Sequence, residues 1–474
     1  MKSKFCLFLL FFSGVSFAQH RYVAPKDSLV IKNLESWKDM KFGLFMHWGP
    51  YCQWGVVESW SLCPEDEGWT QRTGPYSKNY FEYKRAYENL QTTFNPTDFD
   101  AQRWVDAAWE AGMRYVVFTT KHHDGFCMFN TKQTDYKITD SKTPYSSNPR
   151  SNITLEIFNA FRARGFTVGA YFSKPDWHCE SYWWPYFPPK DRNANYDPKK
   201  YPERWNDFKD FTYNQIRELM SEYGKVDILW LDGGWVRPLS TVDRSIEWQR
   251  GIIFDQDIDM ERIATMARSF QPGLIIVDRS VTGEFENYTT PEQEVPKEPL
   301  PYPWETCMTM GNSWSFVPGD AYKTAHQLIH LLIKVVSRGG NFLLNIGPGP
   351  DGDWDPIAYQ RLKEIGDWMK INNSGIYNSI PVLPYSSDNI FFTQSKDKKT
   401  VYAFFLNEED EVQLTGDVVI KGFHLNKGSR ISIPVTCTSL KWKSTSDGIQ
   451  IEIPSSLLNK PIAKHALAFV IKPK

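Results

Sequence analysis

The chain has 474 residues, well beyond the ~250–300 residues at which a single hydrophobic core stops growing, so we expect two domains. Its 54 basic and 56 acidic residues give a formal net charge of −2, which provides no basic surface for nucleic acid or an anionic membrane. Aromatic residues make up 15% of the chain, and their flat faces with a polar edge suit a neutral ligand.

The first 18 residues have the composition of a secretory signal peptide. Lysines in "MKSK" precede the apolar run "FCLFLLFF", and small residues in "SGVSFA" precede Gln19. The run is too short to span a bilayer, and Cys6 lies inside it rather than after a cleavage site. We therefore expect residues 1–18 to be removed, and the protein to be exported to the periplasm or secreted, without a membrane span or a lipid anchor.

The six cysteines after residue 18 have no CxxC spacing, so they indicate neither a zinc site nor a dense disulfide framework. Cys52 and Cys63 are near enough in sequence to pair. The alternative is that both are ordinary buried thiols.

Residues 19–373 alternate short apolar runs with segments of helical period. The runs are 42–49, 115–123, 167–173, 227–234, 273–280, 306–310 and 341–347, and several are continuously apolar, as parallel strands covered on both faces are. Helices are predicted at 98–111, at 320–337 and from Asp355–Pro356 onward. The pattern predicts an α/β fold, an irregular (β/α)8-like barrel with one strand irregular or missing. A doubly wound open sheet is the alternative, but no GxGxxG motif follows any strand.

The period of the sequence changes near residue 374. Short alternating runs follow, separated by polar turns: "NIFFTQ", "TVYAFFLN", "DVVIKGF", "RISIPVT", "GIQIEIP" and "ALAFVIK". Residues 374–474 are therefore predicted to form a C-terminal antiparallel β-sandwich.

Polar residues follow the strands of the predicted barrel, at the end where such barrels carry their active sites. They include His47, His122, His123, Asp232 and Arg279. The adjacent histidines followed by Asp124 suggest a metal site. Neighbouring strand residues point to opposite faces, however, so we expect no metal, and no cofactor motif is present.

An aromatic-rich site with carboxylates and no nucleophilic Ser or Cys motif favours glycoside hydrolysis, which needs two carboxyl groups flanking the anomeric carbon. Asp232, in "DILWLDGGW" (227–235), supplies one of them. Gly233 and Gly234 remove side chains next to it, which would let a sugar approach closely.

Seven blocks of the chain occur in the order found in one enzyme family. They are "KFGLFMHWGPY" (41–51), "KHHDGFCMF" (121–129), "GAYFS" (169–173), "LWLDGGW" (229–235), "WETCMTMGNSW" (304–314), "GGNFLLNIGPGPDG" (339–352) and "GDWMKINNSGIYN" (366–378). Together they resemble the α-L-fucosidases of glycoside hydrolase family 29. The resemblance implies a retaining exo-α-L-fucosidase that releases terminal α-L-fucose from fucosylated oligosaccharides or glycans by double displacement.

The resemblance also implies roles for individual residues. Asp232 matches the nucleophile, and the fucose ligands correspond to His47, Glu58, Trp60, His122, His123, Trp230, Arg279 and Trp314. Two departures from the family pattern bear on the pocket. "VVESWSL" replaces the usual "EW", which leaves open whether Glu58 or Trp60 binds the sugar. "YFS" places Phe172 where the family has a tyrosine, at an expected cost of about 1 kcal/mol for one hydrogen bond.

The general acid/base is expected in the loop "ENYTTPEQEVPKEP" (286–299), which holds Glu286, Glu292, Glu294 and Glu298. Glu292 best matches the family's loop glutamate, and Glu294 is the alternative. Glu305 is expected to support the pocket structurally.

Two other functions are compatible with the same residues. An α-L-galactosidase would act on a sugar that differs from fucose by one hydroxyl, which apolar pockets reject by only about 100-fold. A non-catalytic sugar-binding protein would keep the histidines and tryptophans but lack one carboxylate.

Overall fold

The computed structural model describes residues 22–64, 70 and 72–474. The predicted signal peptide, residues 1–18, lies outside this part of the chain. None of the helices in the described part combines the length and the apolar character needed to cross a membrane.

Seven parallel strands form the sheet of the first domain. Their bounds are β1 Phe42–Met46, β2 Tyr115–Lys121, β3 Thr167–Ser173, β4 Ile228–Asp232, β5 Ile275–Asp278, β6 Glu305–Thr309 and β7 Asn341–Asn345. They pair in the order β5-β4-β3-β2-β1-β7-β6, with every pair parallel. Nearly every strand residue is buried, as the continuous apolar runs predicted. The prediction of an irregular (β/α)8-like barrel is confirmed.

An irregular segment, not an eighth strand, fills the gap between β5 and β6. The backbone N–H of Asn287 donates to the carbonyl of Ile276 (2.9 Å), and that of Gln293 donates to the carbonyl of Cys307 (3.0 Å). Pro291 and the left-handed Gln293 (φ 55°) prevent a regular ladder here. This segment corresponds to the irregular strand predicted from the sequence, and it carries Glu292 to the barrel rim.

Strand alternation separates the barrel interior from the layer beneath the helices. The residues that fill the interior include Phe45, Val117, Tyr171, Trp230, Val277 and Leu343. Their neighbours along the strands, such as Leu44, Phe172 and Leu231, belong to the larger core under the helices. Because Tyr171 and Trp230 are register partners, their side chains lie side by side inside the barrel.

Eight helices are present in the described part of the chain. They are α1 Ser28–Met40, α2 Tyr80–Glu88, α3 Ala101–Glu110, α4 Ile153–Arg164, α5 Pro202–Glu222, α6 Met260–Phe270, α7 Ala325–Ser337 and α8 Pro356–Asn372. Helix α8 begins where predicted, with Asp355 accepting a hydrogen bond from the N–H of Ile357 (2.9 Å) and Pro356 as the first helical residue. Helix α7 begins with a capping box between Thr324 and Gln327.

The C-terminal region forms an antiparallel sheet around its own core. Its strands are β8 Ser379–Ser387, β9 Ile390–Ser395, β10 Val401–Gln413, β11 Val418–Lys421, β12 Arg430–Ile433, β13 Thr438–Ser444, β14 Gly448–Glu452 and β15 Pro461–Lys472, in the order β11-β14-β13-β12-β15-β10-β9-β8. The predicted antiparallel domain is confirmed, with two strands more than the six expected. The two additional strands are β8, which contains two prolines, and β13, which contains lysines. These residues are typical of turns or edge strands, so the sequence pattern did not predict either strand.

Cys52 and Cys63 are both buried free thiols. The possible pairing between them is therefore wrong, and the alternative of ordinary buried thiols is confirmed. Cys127, Cys179, Cys307 and Cys437 are free as well.

Candidate active site

A cavity opens at the carboxyl ends of the barrel strands. Its volume of about 250 Å³ is smaller than the ~300–1,000 Å³ of sites for drug-sized ligands, and suits a single sugar ring. The lining residues are Phe45, His47, Glu58, Trp60, His122, Tyr171, Arg192, Trp230, Asp232, Gly234, Trp235, Trp248, Arg279, Ser280, Glu292, Cys307 and Trp314. Of the predicted fucose ligands and acid/base candidates, His123 and the loop glutamates Glu286, Glu294 and Glu298 do not line it.

Asp232, the last residue of β4, is surrounded by groups that favour its ionised form. The Tyr171 hydroxyl donates to Oδ2 (2.8 Å), the N–H of Gly233 donates to Oδ1 (2.7 Å), and Nη1 of Arg279 lies 3.3 Å from Oδ1. Nε2 of His123 lies behind the carboxylate, 3.8 Å from Oδ2. Burial alone would raise the pKa of Asp232, but Arg279 and the other partners hold that pKa well below its usual value. Asp232 is therefore a carboxylate at neutral pH.

A single arginine contacts both of the predicted catalytic carboxyl groups. Arg279 directly follows β5; its Nη2 pairs with Oε2 of Glu292, while its Nη1 contacts Asp232. Its Nε donates to the hydroxyl of Thr290 (3.2 Å), and its guanidinium lies over the ring of Trp230, 5.4 Å from the centroid. The planar guanidinium thus orients the two carboxyl groups through two different nitrogens in a fixed geometry, which the single ammonium group of a lysine would not do.

The four loop glutamates have different surroundings. Glu292 lies at the mouth of the cavity with 40% of its side chain exposed. Glu286 is buried and accepts a hydrogen bond from the N–H of Ser280 (3.0 Å). Glu294 and Glu298 are exposed and do not line the cavity. The geometry thus favours Glu292 over Glu294 as the partner of Asp232.

The three histidines near Asp232 are neutral. Burial lowers the pKa of His47 to about 4 and that of His123 to about 3. Burial, together with the neighbouring histidines, lowers the pKa of His122 well below its usual value. Neutral imidazoles offer one donor and one acceptor each, which suits the recognition of uncharged hydroxyl groups.

Hydrogen bonds fix opposite tautomers in His47 and His122. The amide NH₂ of Asn345 donates to a backbone carbonyl (2.6 Å), so its Oδ1 accepts from Nδ1 of His47 (2.8 Å) and leaves Nε2 as an acceptor. Ser59 Oγ accepts from the N–H of Asp124 (2.9 Å), and among the described residues the acceptor for its own O–H is Nδ1 of His122 (2.5 Å). Ser59 therefore donates to Nδ1, which leaves Nε2–H of His122 as a donor. A sugar hydroxyl both donates and accepts, so this pair of imidazoles is complementary to it.

Glu58 and Trp60, the two residues between which the sequence left the sugar-binding role open, both line the cavity. Glu58 is fully buried: its Oε1 accepts from the N–H of Ser315 (2.6 Å), and its Oε2 has no hydrogen-bond partner within the described protein. Burial, with Glu292 and Asp232 nearby, raises the pKa of Glu58 to about 8. At neutral pH Glu58 therefore carries a proton that can be donated into the cavity.

Aromatic side chains form the apolar walls. Trp230 stacks on Tyr171 (ring centroids 5.3 Å apart), and its Nε1 donates to Oε1 of the buried Glu305 (3.2 Å). The Tyr115 hydroxyl donates to the other oxygen of Glu305 (2.6 Å), so Glu305 holds Trp230 from below, as expected of a supporting residue. Trp314 lies on the opposite side, next to His47 (centroids 5.0 Å apart).

Seven lining residues had no role predicted from the sequence: Phe45, Tyr171, Arg192, Trp235, Trp248, Ser280 and Cys307. Arg192 lies in the long loop after β3 and reaches the cavity over the ring of Trp60, 5.1 Å from its centroid. Tyr171 was overlooked because the motif comparison drew attention to Phe172. Alternation along β3, which pairs Tyr171 with Trp230, was a signal that Tyr171 points inward.

The expected loss of a sugar contact at Phe172 is wrong. Phe172 points away from the cavity into the helix layer, where the ammonium of Lys121 lies 4.2 Å from its ring centroid. The tyrosine of "YFS" that reaches the site is Tyr171, and it retains its hydroxyl.

The two glycines after Asp232 lie where the backbone leaves no space for a side chain. Gly233 has a left-handed conformation (φ 87°), and a Cβ there would lie 2.2 Å from Cδ of Pro175. A Cβ on Gly234 would lie 2.8 Å from the carbonyl oxygen of Arg279. Both glycines are required by close packing, and Gly234 also lines the cavity, whereas Gly233 does not.

His122 and His123 do not point to opposite faces, so that expectation from the sequence is wrong. Strand β2 ends at Lys121, so the two histidines are not strand neighbours, and their rings lie 4.2 Å apart. Their ligand atoms and those of Asp232 lie within 4.8 Å of one another, a spacing that a metal ion could bridge. Both Nδ1 atoms, however, are hydrogen-bonded to Ser59 or Ser173, and the carboxylate is held by Tyr171 and Gly233.

Comparison with known proteins agrees with this geometry. The family model described as alpha-L-fucosidase matches residues 9–374, and the model of the alpha-L-fucosidase C-terminal domain matches residues 384–472. The chain is 27% identical to an alpha-L-fucosidase of Dictyostelium discoideum over 96% of both chains. It is 26% identical to the solved alpha-L-fucosidase isoenzyme 1 of Paenibacillus thiaminolyticus (TM-score 0.73), covering 94% of this chain and 100% of that one.

The fold is also shared with a family 29 alpha-L-fucosidase of Bacteroides thetaiotaomicron, solved as a trapped covalent intermediate with 2-fluoro-fucosyl fluoride. The two chains are 23% identical with a TM-score of 0.70, covering 95% of this chain and 98% of that one. With a family model that spans most of its length and relatives that match it nearly end to end, the chain belongs to the α-L-fucosidase family of glycoside hydrolases.

Proposed function

We propose that this protein hydrolyses terminal α-L-fucosides with retention of configuration, using Asp232 and Glu292. In the first step Asp232 attacks the anomeric carbon, and the bond to the aglycone oxygen breaks. Glu292 donates its proton to that oxygen, which leaves as an alcohol. The sugar is then held as a β-linked ester of Asp232.

In the second step Glu292 removes a proton from water, and the water oxygen attacks the anomeric carbon. Asp232 leaves as a carboxylate, and Glu292 regains the proton that it gave up. An intermediate of this covalent kind is the one trapped in the Bacteroides thetaiotaomicron enzyme. The positions of the two carboxyl groups support these roles: Asp232 lies inside the cavity with a depressed pKa, whereas the half-exposed Glu292 lies at the mouth, where the leaving group departs.

The observation that carries the proposal is the shared contact of Arg279. One guanidinium contacts both carboxyl groups, Asp232 inside a cavity sized for one sugar and Glu292 at its mouth, so the pair is oriented before substrate binds. A non-catalytic sugar-binding protein has no need of this second carboxyl group. The relatives compared above are all α-L-fucosidases, so α-L-galactosidase activity is not favoured.

Sugar recognition follows from the lining. The acceptor Nε2 of His47, the donor Nε2–H of His122 and the protonated Glu58 match hydroxyl groups, while Trp314 supplies an apolar wall for the C5 methyl group of fucose. The small volume restricts binding to one terminal sugar, which supports exo action on oligosaccharides or glycans.

Azide rescue tests the two assignments separately. With an aryl α-L-fucoside, Asp232→Ala should lose at least ~1,000-fold in kcat, equivalent to about 4 kcal/mol. Azide should restore turnover by direct displacement and give β-fucosyl azide. Glu292→Ala should instead accumulate the fucosyl-enzyme and give α-fucosyl azide, because azide then attacks the β-linked intermediate.

Glu294→Ala is the matched control, since Glu294 is in the same loop but outside the cavity, and it should remain close to wild type. Rescue in Glu294→Ala but not in Glu292→Ala would transfer the acid/base role to Glu294. Near-wild-type turnover by Asp232→Ala would refute the mechanism.

We further propose that the protein is exported after removal of residues 1–18. The lysines, short apolar run and small residues at the N terminus support this proposal. Expression of the full chain should yield a processed protein that begins at Gln19, as read by intact mass. An N terminus that retains residues 1–18 would contradict it.

A further inference from the structure

A second cluster of metal-ligating side chains lies where the barrel meets the C-terminal sheet. His326 is in the first turn of α7, Asp410 is near the end of β10, and His465 is in β15. Nδ1 of His326 lies 3.5 Å from Oδ1 of Asp410, and Nδ1 of His465 lies 3.8 Å from the same oxygen. One ligand atom from each residue lies within 4.8 Å of the others.

Two imidazole nitrogens of this cluster are buried without a hydrogen bond to any described residue. Neither Nδ1 of His326 nor Nδ1 of His465 makes a hydrogen bond within the described protein, although both atoms are shielded from solvent. His465 as a whole is only 8% exposed. Separations of 3.5 and 3.8 Å are too long for hydrogen bonds to Asp410, and buried polar atoms are normally satisfied.

The backbone around His465 directs its side chain into the cluster. The ladder between β10 and β15 is interrupted between Leu406 and Glu411 by an irregularity that includes Asp410. At this point His465 has a left-handed conformation (φ 67°), and its carbonyl accepts a hydrogen bond from Nε2 of His330 (2.8 Å). Bulges of this kind re-aim side chains, and His330 anchors this one to α7.

We propose that His326, Asp410 and His465 bind a divalent transition metal ion of the Zn²⁺ type. In a tetrahedral site with zinc–nitrogen and zinc–oxygen distances near 2.1 Å, neighbouring ligand atoms are ~3.4 Å apart, so separations of 3.5 and 3.8 Å need only small movements. Two imidazoles and one carboxylate favour zinc over calcium or magnesium, which prefer oxygen ligands.

The site would have an open fourth position and would link the two domains. All three residues line a cavity of about 710 Å³ between α7, α8 and the C-terminal sheet, from which water can supply the fourth ligand. Glu364 and Lys464 are charged groups that line the same cavity. The cavity shares no lining residue with the active site, so occupation of this site is separable from hydrolysis.

Zinc titration of the full-length protein tests the proposal. After chelator treatment and desalting, the wild type should bind one Zn²⁺ at the cluster, as measured by calorimetry and by metal content, with unchanged hydrolysis of an aryl fucoside. His326→Ala and Asp410→Ala should each weaken this binding by more than the ~10–100-fold that loss of a mere supporting partner costs. Co²⁺ should give the visible absorption bands of a tetrahedral site in the wild type only.

His424→Ala is the matched control, because His424 is an exposed histidine of the same domain outside the cluster, and it should bind zinc as the wild type does. The Asp410 side chain is 70% exposed, so Asp410→Ala remains informative even if His326→Ala does not fold. Wild-type zinc binding in Asp410→Ala, an absence of binding in the wild type, or loss of hydrolysis in proportion to bound zinc would each overturn the proposal. The last result would place the ion at His122, His123 and Asp232.

Discussion

Tyr171→Phe isolates the hydrogen bond that orients the proposed nucleophile. The substitution removes only the hydroxyl that donates to Oδ2 of Asp232 at 2.8 Å, and the ring continues to stack on Trp230. A hydrogen bond to a charged group contributes ~1.5–3 kcal/mol, and each ~1.4 kcal/mol changes a rate tenfold. We therefore expect kcat/KM for an aryl α-L-fucoside to fall ~10- to 100-fold.

The same substitution should also move the pH profile. The Tyr171 hydroxyl is one of the groups that depress the pKa of Asp232, so its removal raises that pKa, and the acid limb of kcat/KM should shift to higher pH. Tyr145→Phe is the control, because it deletes a buried hydroxyl that has no hydrogen-bond partner among the described residues and lies outside the cavity. A Tyr171→Phe enzyme within twofold of wild type, with an unmoved acid limb, would refute the orienting role.

Three further substitutions test the surroundings of the site. Arg279→Lys keeps the positive charge but cannot contact Asp232 and Glu292 through two fixed nitrogens, so kcat/KM should fall at least ~10-fold. Activity near wild type would show that contact with one of the two carboxyl groups suffices. Burial raises the pKa of Glu58 from 4.5 to about 8, so between these pH values Glu58 ionises in the unfolded chain but not in the folded one, and the wild type loses stability as pH rises. Glu58→Gln cannot ionise and does not lose this stability. The melting temperature of the variant relative to wild type should therefore increase between about pH 5 and about pH 8, and a constant difference would contradict the raised pKa. Asp278→Asn leaves the buried Lys174 without its ion-pair partner and should lower the free energy of unfolding by ~3–5 kcal/mol in denaturant titrations. Asp367→Asn, in an exposed ion pair, is the control and should lower it by less than ~1 kcal/mol. Equal losses in the two variants would refute this reasoning.

Residues at strand ends were predictable from the sequence, because parallel apolar runs bring their carboxyl ends to one rim. This rule alone identified His47, His122, Asp232 and Arg279 as site residues. The family resemblance then added Glu292, which lies on the irregular segment between β5 and β6, where no periodicity marks its position.

Other parts of the site depend on tertiary contacts that no local pattern encodes. Arg192 reaches the cavity from a long loop. Burial raises the pKa of Glu58, whose carboxyl group accepts a hydrogen bond from Ser315, a residue far away in the chain. The cluster of His326, Asp410 and His465 joins residues far apart in the chain through packing of the two domains. Tyr171, by contrast, was within reach of sequence reasoning through the two-residue period of β3.

Covalent labelling tests the central claim most directly. Incubation with 2-fluoro-fucosyl fluoride should trap the fucosyl-enzyme, because the fluorine slows both steps and the fluoride leaving group allows the first to proceed. Mass spectrometry of a digest should then locate a single adduct on Asp232, in the peptide that contains residues 227–235. An adduct on Glu292 or Glu294, or no adduct from an enzyme that turns over aryl α-L-fucosides, would contradict the account.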